Sequence, residues 1–240
     1  MKIIKFETIT STNQYLKENY KKIDNLAVIC AEHQTNGRGR LGRSWVDSDD
    51  LLFSILIKDD GNNLANITDY SLLIASTIYK VLINYVDCIS IKWPNDILYK
   101  DKKLVGILLE AVTTDKIECA IIGVGINVNA NCYYGELKNK AISLKQILCK
   151  ETNKEKLLTN ICNQFKDDYS SYQKKENDYL KIIRENFYLS EREVEFIYKG
   201  NPCKGIVKGI SENGNILINV FGDTIEVSSG EISLQNIYNK

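Results

Sequence analysis

Residues 89–128 read ISIKWPNDILYKDKKLVGILLEAVTTDKIECAIIGVGINV, and the fold turns on how this run is divided. Ile89–Trp93, Ile97–Tyr99, Leu104–Ala111 and Glu118–Val128 are short, rich in Ile, Val and Leu, and separated by polar or turn-forming residues. Continuous apolar runs of this length mark strands covered on both faces. Asp101-Lys102-Lys103 predicts the turn between the middle pair. Upstream, Lys2–Glu7, Leu26–Glu32 and Leu51–Lys58 read as three more strands. Ser11-Thr12-Asn13 is an N-cap cluster opening a short helix through Tyr15 and Leu16. Tyr70, Ile74, Ile78, Val81, Leu82 and Tyr85 recur at helical spacing and predict a long helix over 67–85. Leu158, Ile161, Phe165, Tyr169 and Tyr172 form the stripe of a second long helix. A sheet flanked by helices follows.

The last fifty residues differ. Val194–Tyr198, Gly205–Ile210, Ile216–Phe221 and Thr224–Val227 are short strands punctuated by Gly200-Asn201, Asn213-Gly214 and Gly222-Asp223, each a tight-turn signature. They predict a small hairpin barrel, too small to stand without the main domain.

Across 240 residues, 31 Lys and Arg balance 31 Asp and Glu, which argues against a protein devoted to a polyanion. The N-terminus has no signal-peptide core, and no apolar run approaches the ~18–20 residues of a membrane span. Seven cysteines include no Cys-x-x-Cys pair and read as reduced thiols, several of them in apolar runs. His33 is the single histidine. The expectation is a soluble, reduced, cytoplasmic protein.

Chemistry concentrates in a few places. Gly37-Arg38-Gly39-Arg40-Leu41-Gly42-Arg43-Ser44-Trp45 joins three glycines, which allow close backbone approach, to three guanidinium forks suited to phosphate or carboxylate oxygens. Ordering such a loop costs about 10 kcal/mol of backbone entropy, while burying Leu41 and Trp45 returns roughly 3–6 kcal/mol. The expectation is a loop mobile when empty and ordered by an anion; a loose RNA-binding segment is the competing reading. Lys92-Trp93-Pro94-Asn95-Asp96 ends a covered strand with a cation, an aromatic plate, a rigid turn and an amide beside a carboxylate. Asp96 there suits a divalent metal or one of the protein's own lysines. Lys103 stands at the mouth of a buried strand ahead of Gly106, and Gly123-Val124-Gly125-Ile126-Asn127 ends another.

Taken in order, Ser-Thr-Asn-Gln at 11–14, Gln34, the arginine-glycine run at 37–45, Lys-Trp-Pro-Asn-Asp at 92–96, Lys-Leu-x-Gly-Ile-Leu at 103–108 and Gly-x-Gly-Ile-Asn at 123–127 closely resemble the biotin–protein ligases. Gly230-Glu231-Ile232-Ser233-Leu234 resembles that family's C-terminal domain. Asn36 departs from the pattern, standing where a small residue is expected. The resemblance implies an α+β fold: a mixed β-sheet flanked by helices, of the class II aminoacyl-tRNA synthetase/biotin synthetase-like kind. It places a catalytic domain at 1–189 and an SH3-like β-barrel at 190–240. With the Ser-Thr-Asn motif starting at residue 11, it also implies the monofunctional type, without an N-terminal DNA-binding domain.

The activity so implied is ATP-dependent activation of biotin to biotinyl-5′-AMP, then transfer to a lysine of a biotin carboxyl carrier protein domain. ATP and Mg²⁺ accompany biotin, with no DNA or membrane partner and a homodimer as one available state. By the same resemblance Ser11, Thr12, Asn13, Gln34, Gly37, Arg38, Gly39, Arg40, Lys103 and Gly106 hold biotin, with Lys103 and Arg40 catalytic. Arg40, Arg43, Trp45, Lys92, Asn95, Asp96 and Asn127 face the nucleotide; the Mg²⁺ ligands stay unassigned. The alternative is a lipoate– or octanoyl-transferring relative.

Overall fold

The computed structural model describes residues 1–46, 48–59, 67–176, 178–228 and 232–235. Over 89–128 it contains β4 (Ile89–Lys92), β5 (Asp96–Tyr99), β6 (Lys102–Thr113) and β7 (Ile117–Ile126). The β5–β6 turn is Lys100-Asp101, one residue tighter than expected, because Lys102 and Lys103 already pair with Tyr99 and Leu98. Lys100 takes the positive φ (+55°) that a two-residue hairpin turn demands.

These strands join β1 (Ile3–Ile9), β2 (Val28–Gln34) and β3 (Leu51–Lys58) in the order β1-β2-β3-β7-β6-β5-β4. The β1–β2 pair is parallel and the others are antiparallel. The expected double cover of β2 holds for Val28–Ala31 only; Glu32 and His33 emerge into solvent.

One face of the sheet carries α1 (Thr12–Asn19), whose Leu16 packs on Ile29, Leu56, Cys119 and Ile121. The other carries α2 (Asp69–Leu82) and α4 (Lys154–Gln173), with the short α3 (Leu144–Leu148) between them in sequence. α2 is shorter than the expected 67–85. Asn84 Nδ2 donates to Lys80 O (3.0 Å) and Val81 O (3.3 Å), satisfying carbonyls that a further helical turn would have used. Asn153 caps α4 by accepting from Lys156 N at 2.8 Å. The predicted stripe Leu158, Ile161, Phe165 and Tyr169 is buried, and Tyr172 packs edge-on against Tyr70. Sequence reading passed over α3 and α5 (Tyr179–Glu185), although Ser143 and Gln146 form a reciprocal capping box that its Ser-x-x-Gln spacing announces.

The C-terminal strands are β8 (Glu193–Tyr198), β9 (Asn201–Ile210), β10 (Ile216–Val220), β11 (Asp223–Val227) and β12 (Ile232–Gln235). They form an antiparallel sheet in the order β11-β10-β9-β8-β12, the small barrel-type unit of an α+β fold. Gly230 and Glu231 lie outside the described residues, as do the side chains of β12. The small sheet is docked, not tethered: Arg184 of α5 donates to Ile210 O and Ser211 O, and Glu191 N to Val207 O.

All seven cysteines are free. Cys30, Cys119 and Cys162 are buried, whereas Cys88, Cys132 and Cys149 are exposed, so the apolar-core reading holds for part of the set. Among the described residues no helix is long and apolar enough to cross a membrane.

Candidate active site

The site begins where β1 runs into α1. Ser11 is extended (φ −163°, ψ 136°) at the N-cap, but its side chain caps nothing. The next two residues turn inward instead. Thr12 donates from its backbone N (2.7 Å) and its Oγ1 (3.1 Å) to Gln34 Oε1 at the end of β2. Ser54 Oγ, in mid-β3, lies 2.6 Å from Thr12 Oγ1 and 2.5 Å from Asn13 Oδ1. Asn13 Nδ2 donates to Glu110 Oε2 at 2.7 Å, and Glu110 also pairs with Lys17. Ser11, Thr12, Asn13 and Ser54 are all buried, so this is a polar floor inside the sheet with its hydrogen bonds directed. Ser54, Glu110 and Lys17 were missed from sequence. The signal was there: Ser54 is the one hydroxyl inside an otherwise apolar strand.

Beside this floor the arginine-glycine run closes on itself. Gly39 N donates to Arg43 O (2.7 Å), Trp45 N to Gly37 O (3.0 Å), and Arg38 bridges Ser44 across the loop. The side chain of Leu41 lies outside the described residues. Arg38 and Arg43 are exposed, while Arg40 is half-buried and donates from Nη1 to Asn95 Oδ1 at 3.1 Å. Burial lowers the Arg40 pKa from its ordinary value; Asp96 opposes that shift and Arg43 adds to it.

Trp45 lies on the sheet. Gly106 and Gly125 face each other across β6 and β7. A Cβ on Gly106 would meet Trp45 Cζ3 at 2.7 Å, and one on Gly125 would meet Trp45 Cζ2 at 2.6 Å. The paired glycines are therefore a seat for the indole. Its Nε1 is buried and has no hydrogen-bond partner among the described residues. Lys103 Nζ sits 5.8 Å from the ring centroid, within cation–π range.

Lys103 itself is ion-paired to Asp96 Oδ1 at 2.7 Å. Asp96 is paired across β4–β5 with Lys92, which is 7% exposed. Burial depresses the Lys92 ammonium to about 8; Asp96 pulls it back up, and Lys103 and Arg43 push it further down. One carboxylate thus serves Lys92, Lys103 and Arg40, with Arg43 adding a further positive charge nearby, an arrangement that favours an incoming polyanion. Asn95 is locked to β6 from both sides, donating from Nδ2 to Ile107 O (2.8 Å) and accepting at its carbonyl O from Ile107 N (2.8 Å). Asn127 Nδ2 donates to Lys103 O at 2.8 Å, so in this arrangement its side chain holds the lysine's backbone. Among the described residues no group of three or more His, Cys, Asp and Glu could by itself hold a metal.

Comparison with known proteins places the chain in a family. Residues 5–127 match the profile described as the Biotin/lipoate A/B protein ligase family, and residues 189–235 that of the Biotin protein ligase C terminal domain. The chain is 29% identical over 214 residues to the Bifunctional ligase/repressor BirA of Bacillus subtilis, covering 86% of this chain and 66% of that protein. The chain thus spans just under two thirds of that relative's length. The Biotin--[acetyl-CoA-carboxylase] ligase of Mycobacterium tuberculosis is 25% identical over 215 residues, 85% of this chain and 77% of its own. Among solved structures, the biotin protein ligase from Aquifex aeolicus in complex with biotin and ATP superposes with a TM-score of 0.85 at 29% identity, covering 98% of each chain. With its polar floor, its cation cluster and a family match over half its length, the chain belongs to the Biotin/lipoate A/B protein ligase family.

Proposed function

We propose that the chain is a biotin–protein ligase that makes biotinyl-5′-AMP from biotin and ATP and passes the biotinyl group to a lysine of a biotin carboxyl carrier protein domain in the cytoplasm. The observation that carries this reading is the juxtaposition of two unlike half-sites. A closed polar floor (Thr12, Gln34, Ser54, Asn13) suits a neutral, hydrogen-bonding ring, and a cation cluster (Arg40, Arg43, Lys92, Lys103) suits a triphosphate. Biotin's ureido ring belongs to the first, with Ser11, Gly37, Arg38, Gly39 and Gly106 bordering it. The nucleotide belongs to the second, with Trp45, Asn95, Asp96 and Asn127 around it. The boundary proposed between catalytic domain and barrel is 189/190.

In the first step a biotin carboxylate oxygen attacks the α-phosphorus, the bond to the β-phosphate breaks, and pyrophosphate leaves. Lys103, standing between Asp96 and the Trp45 face, is placed to neutralise the charge that two approaching anions share. Arg40, fixed by Asn95, bears on the leaving phosphates. Asp96 with Asn95 would hold a Mg²⁺ ion, which would offset triphosphate charge there. In the second step the carrier amine attacks the acyl carbon, AMP departs, and the amine's proton goes to solvent. Trp45 on its glycine seat screens the anhydride from water.

The test is mass spectrometry of a biotin carrier domain after incubation with the chain, ATP, Mg²⁺ and either biotin or lipoate. A biotin-sized increment on one lysine, absent with lipoate, is expected. An increment with lipoate alone would move the chain to the lipoate branch of its family, and none with either would overturn the ligase reading.

A further inference from the structure

The Lys-Trp-Pro-Asn-Asp corner is gripped from three directions. From α2, Ser71 Oγ donates to Pro94 O at 3.1 Å. From β6, Ile107 holds both backbone and side chain of Asn95. From the C-terminal sheet, Gly214 O accepts the indole N–H of Trp93 at 3.0 Å, a buried bond between residues 121 positions apart. Trp93 is 3% exposed, so that N–H would otherwise be buried without a partner.

The acceptor is built for its place. Gly214 sits at the β9–β10 hairpin tip with φ +77°, where a side chain is strained, and a Cβ there would meet Leu72 Cδ1 of α2 at 2.8 Å. The tip is stiffened from within by Gly214 N to Ser211 O (3.2 Å) and Ser211 N to Asn215 O (2.9 Å). Its base is tied to α5 through Arg184. Asn213–Asn215 also line a cavity of about 370 Å³, together with Arg40 and Asn95.

We propose that the Asn213–Asn215 hairpin tip is a positioning element for the nucleotide half of the site, fixing the Pro94–Asn95 corner, and through Asn95 the Arg40 guanidinium, by accepting the Trp93 indole hydrogen bond at Gly214. The assignment rests on the nucleotide reading given above. It gives the small sheet a part in the first step, through the Trp93–Gly214 hydrogen bond.

The test uses the full chain, with biotin and the non-hydrolysable analogue α,β-methylene-ATP titrated separately by calorimetry. Trp93→Phe removes the N–H and keeps an aromatic ring, at the cost of a small cavity that the biotin titration and melting temperature control for; Arg184→Gln loosens the hairpin base; Phe221→Asn alters the fully exposed β10–β11 tip. Trp93→Phe should weaken nucleotide binding roughly threefold to tenfold, the equivalent of one buried hydrogen bond. Biotin binding should stay within about twofold. Arg184→Gln should move the same way by less, and Phe221→Asn should change neither. Unchanged nucleotide affinity in Trp93→Phe would overturn the proposal. So would parallel losses of both ligands with a fallen melting temperature, since that is general loosening. An unaltered chain that binds no nucleotide overturns it together with the nucleotide reading. An unaltered chain that binds nucleotide but releases no pyrophosphate with biotin refutes the ligase reading and leaves this comparison decisive for the hairpin.

Discussion

Lys103 and Lys92 share Asp96, yet their surroundings set them different tasks. Lys103 is about a third exposed, lies against Trp45 and can swing from Asp96 to a ligand. Lys103→Met should leave the circular dichroism spectrum and melting temperature near those of the parent and cut biotin-dependent pyrophosphate release by about 10²–10³. Wild-type release would remove Lys103 from the reaction. Lys92 is nearly enclosed, and its ammonium falls to about 8 from an ordinary 10.5. Below pH 8 folded and unfolded chains both hold that proton, so the whole cost of burying the charge is present. Between 8 and 10.5 the folded lysine is already neutral while the unfolded one is charged, and the cost disappears as pH rises. The shift corresponds to on the order of 3 kcal/mol. Lys92→Met should therefore raise the melting temperature of the nucleotide-free chain at pH 7, with the gain vanishing toward pH 10.5, while weakening nucleotide binding. A gain that persists at pH 10.5 would mean packing, not charge, is responsible.

At the scale of elements, the decisive unit is the β6–β7 pair. Gly106 and Gly125 stand opposite each other and make a flat floor where any other residue would raise a methyl. Gly125→Ala should preserve the sheet, since β7 is hydrogen-bonded on both sides. It should lift the indole by the few tenths of an ångström or more that a 2.6 Å approach demands. The expected readouts are a red-shifted tryptophan emission and a loss of ligand affinity of about tenfold; an unchanged spectrum would show that Trp45 does not rest there. The Gly-x-Gly spacing at 123–125 was visible in the sequence, but its partner across the sheet was not, because register is decided by strand pairing and not by local pattern. The same holds for Ser54 and Glu110. Each reads as an isolated polar residue in an apolar strand until β3 and β6 bring it to Asn13.

For the whole molecule, the helical layer is pinned by Asp168 of α4, which is 5% exposed and takes Thr77 Oγ1 (2.7 Å) and Lys80 Nζ (2.8 Å) of α2. Asp168→Ala leaves a buried hydroxyl and a partly buried ammonium without their acceptor. It should cost about 2–3 kcal/mol, lowering the melting temperature by roughly 4–12 °C, with pyrophosphate release at 25 °C nearly unchanged. A melting temperature within a degree of the parent would show the helices do not rely on it. The main-sheet strands and the two long helices were legible from the sequence because apolar period is a local property of the chain, whereas the short α3 and α5 were too brief to show one. The arginine-glycine and Lys-Trp-Pro-Asn-Asp motifs were legible too, because close backbone approach and phosphate charge demand those residue types wherever they stand. What only the tertiary structure decided is which of these meet. Asp96 holds Lys103, Arg40 leans on Asn95, Trp45 rests on two glycines from different strands, and Trp93 reaches 121 residues along the chain to Gly214. Each is a contact between segments distant in sequence, set by sheet order and by the docking of one hydrophobic face on another, and no local pattern encodes it.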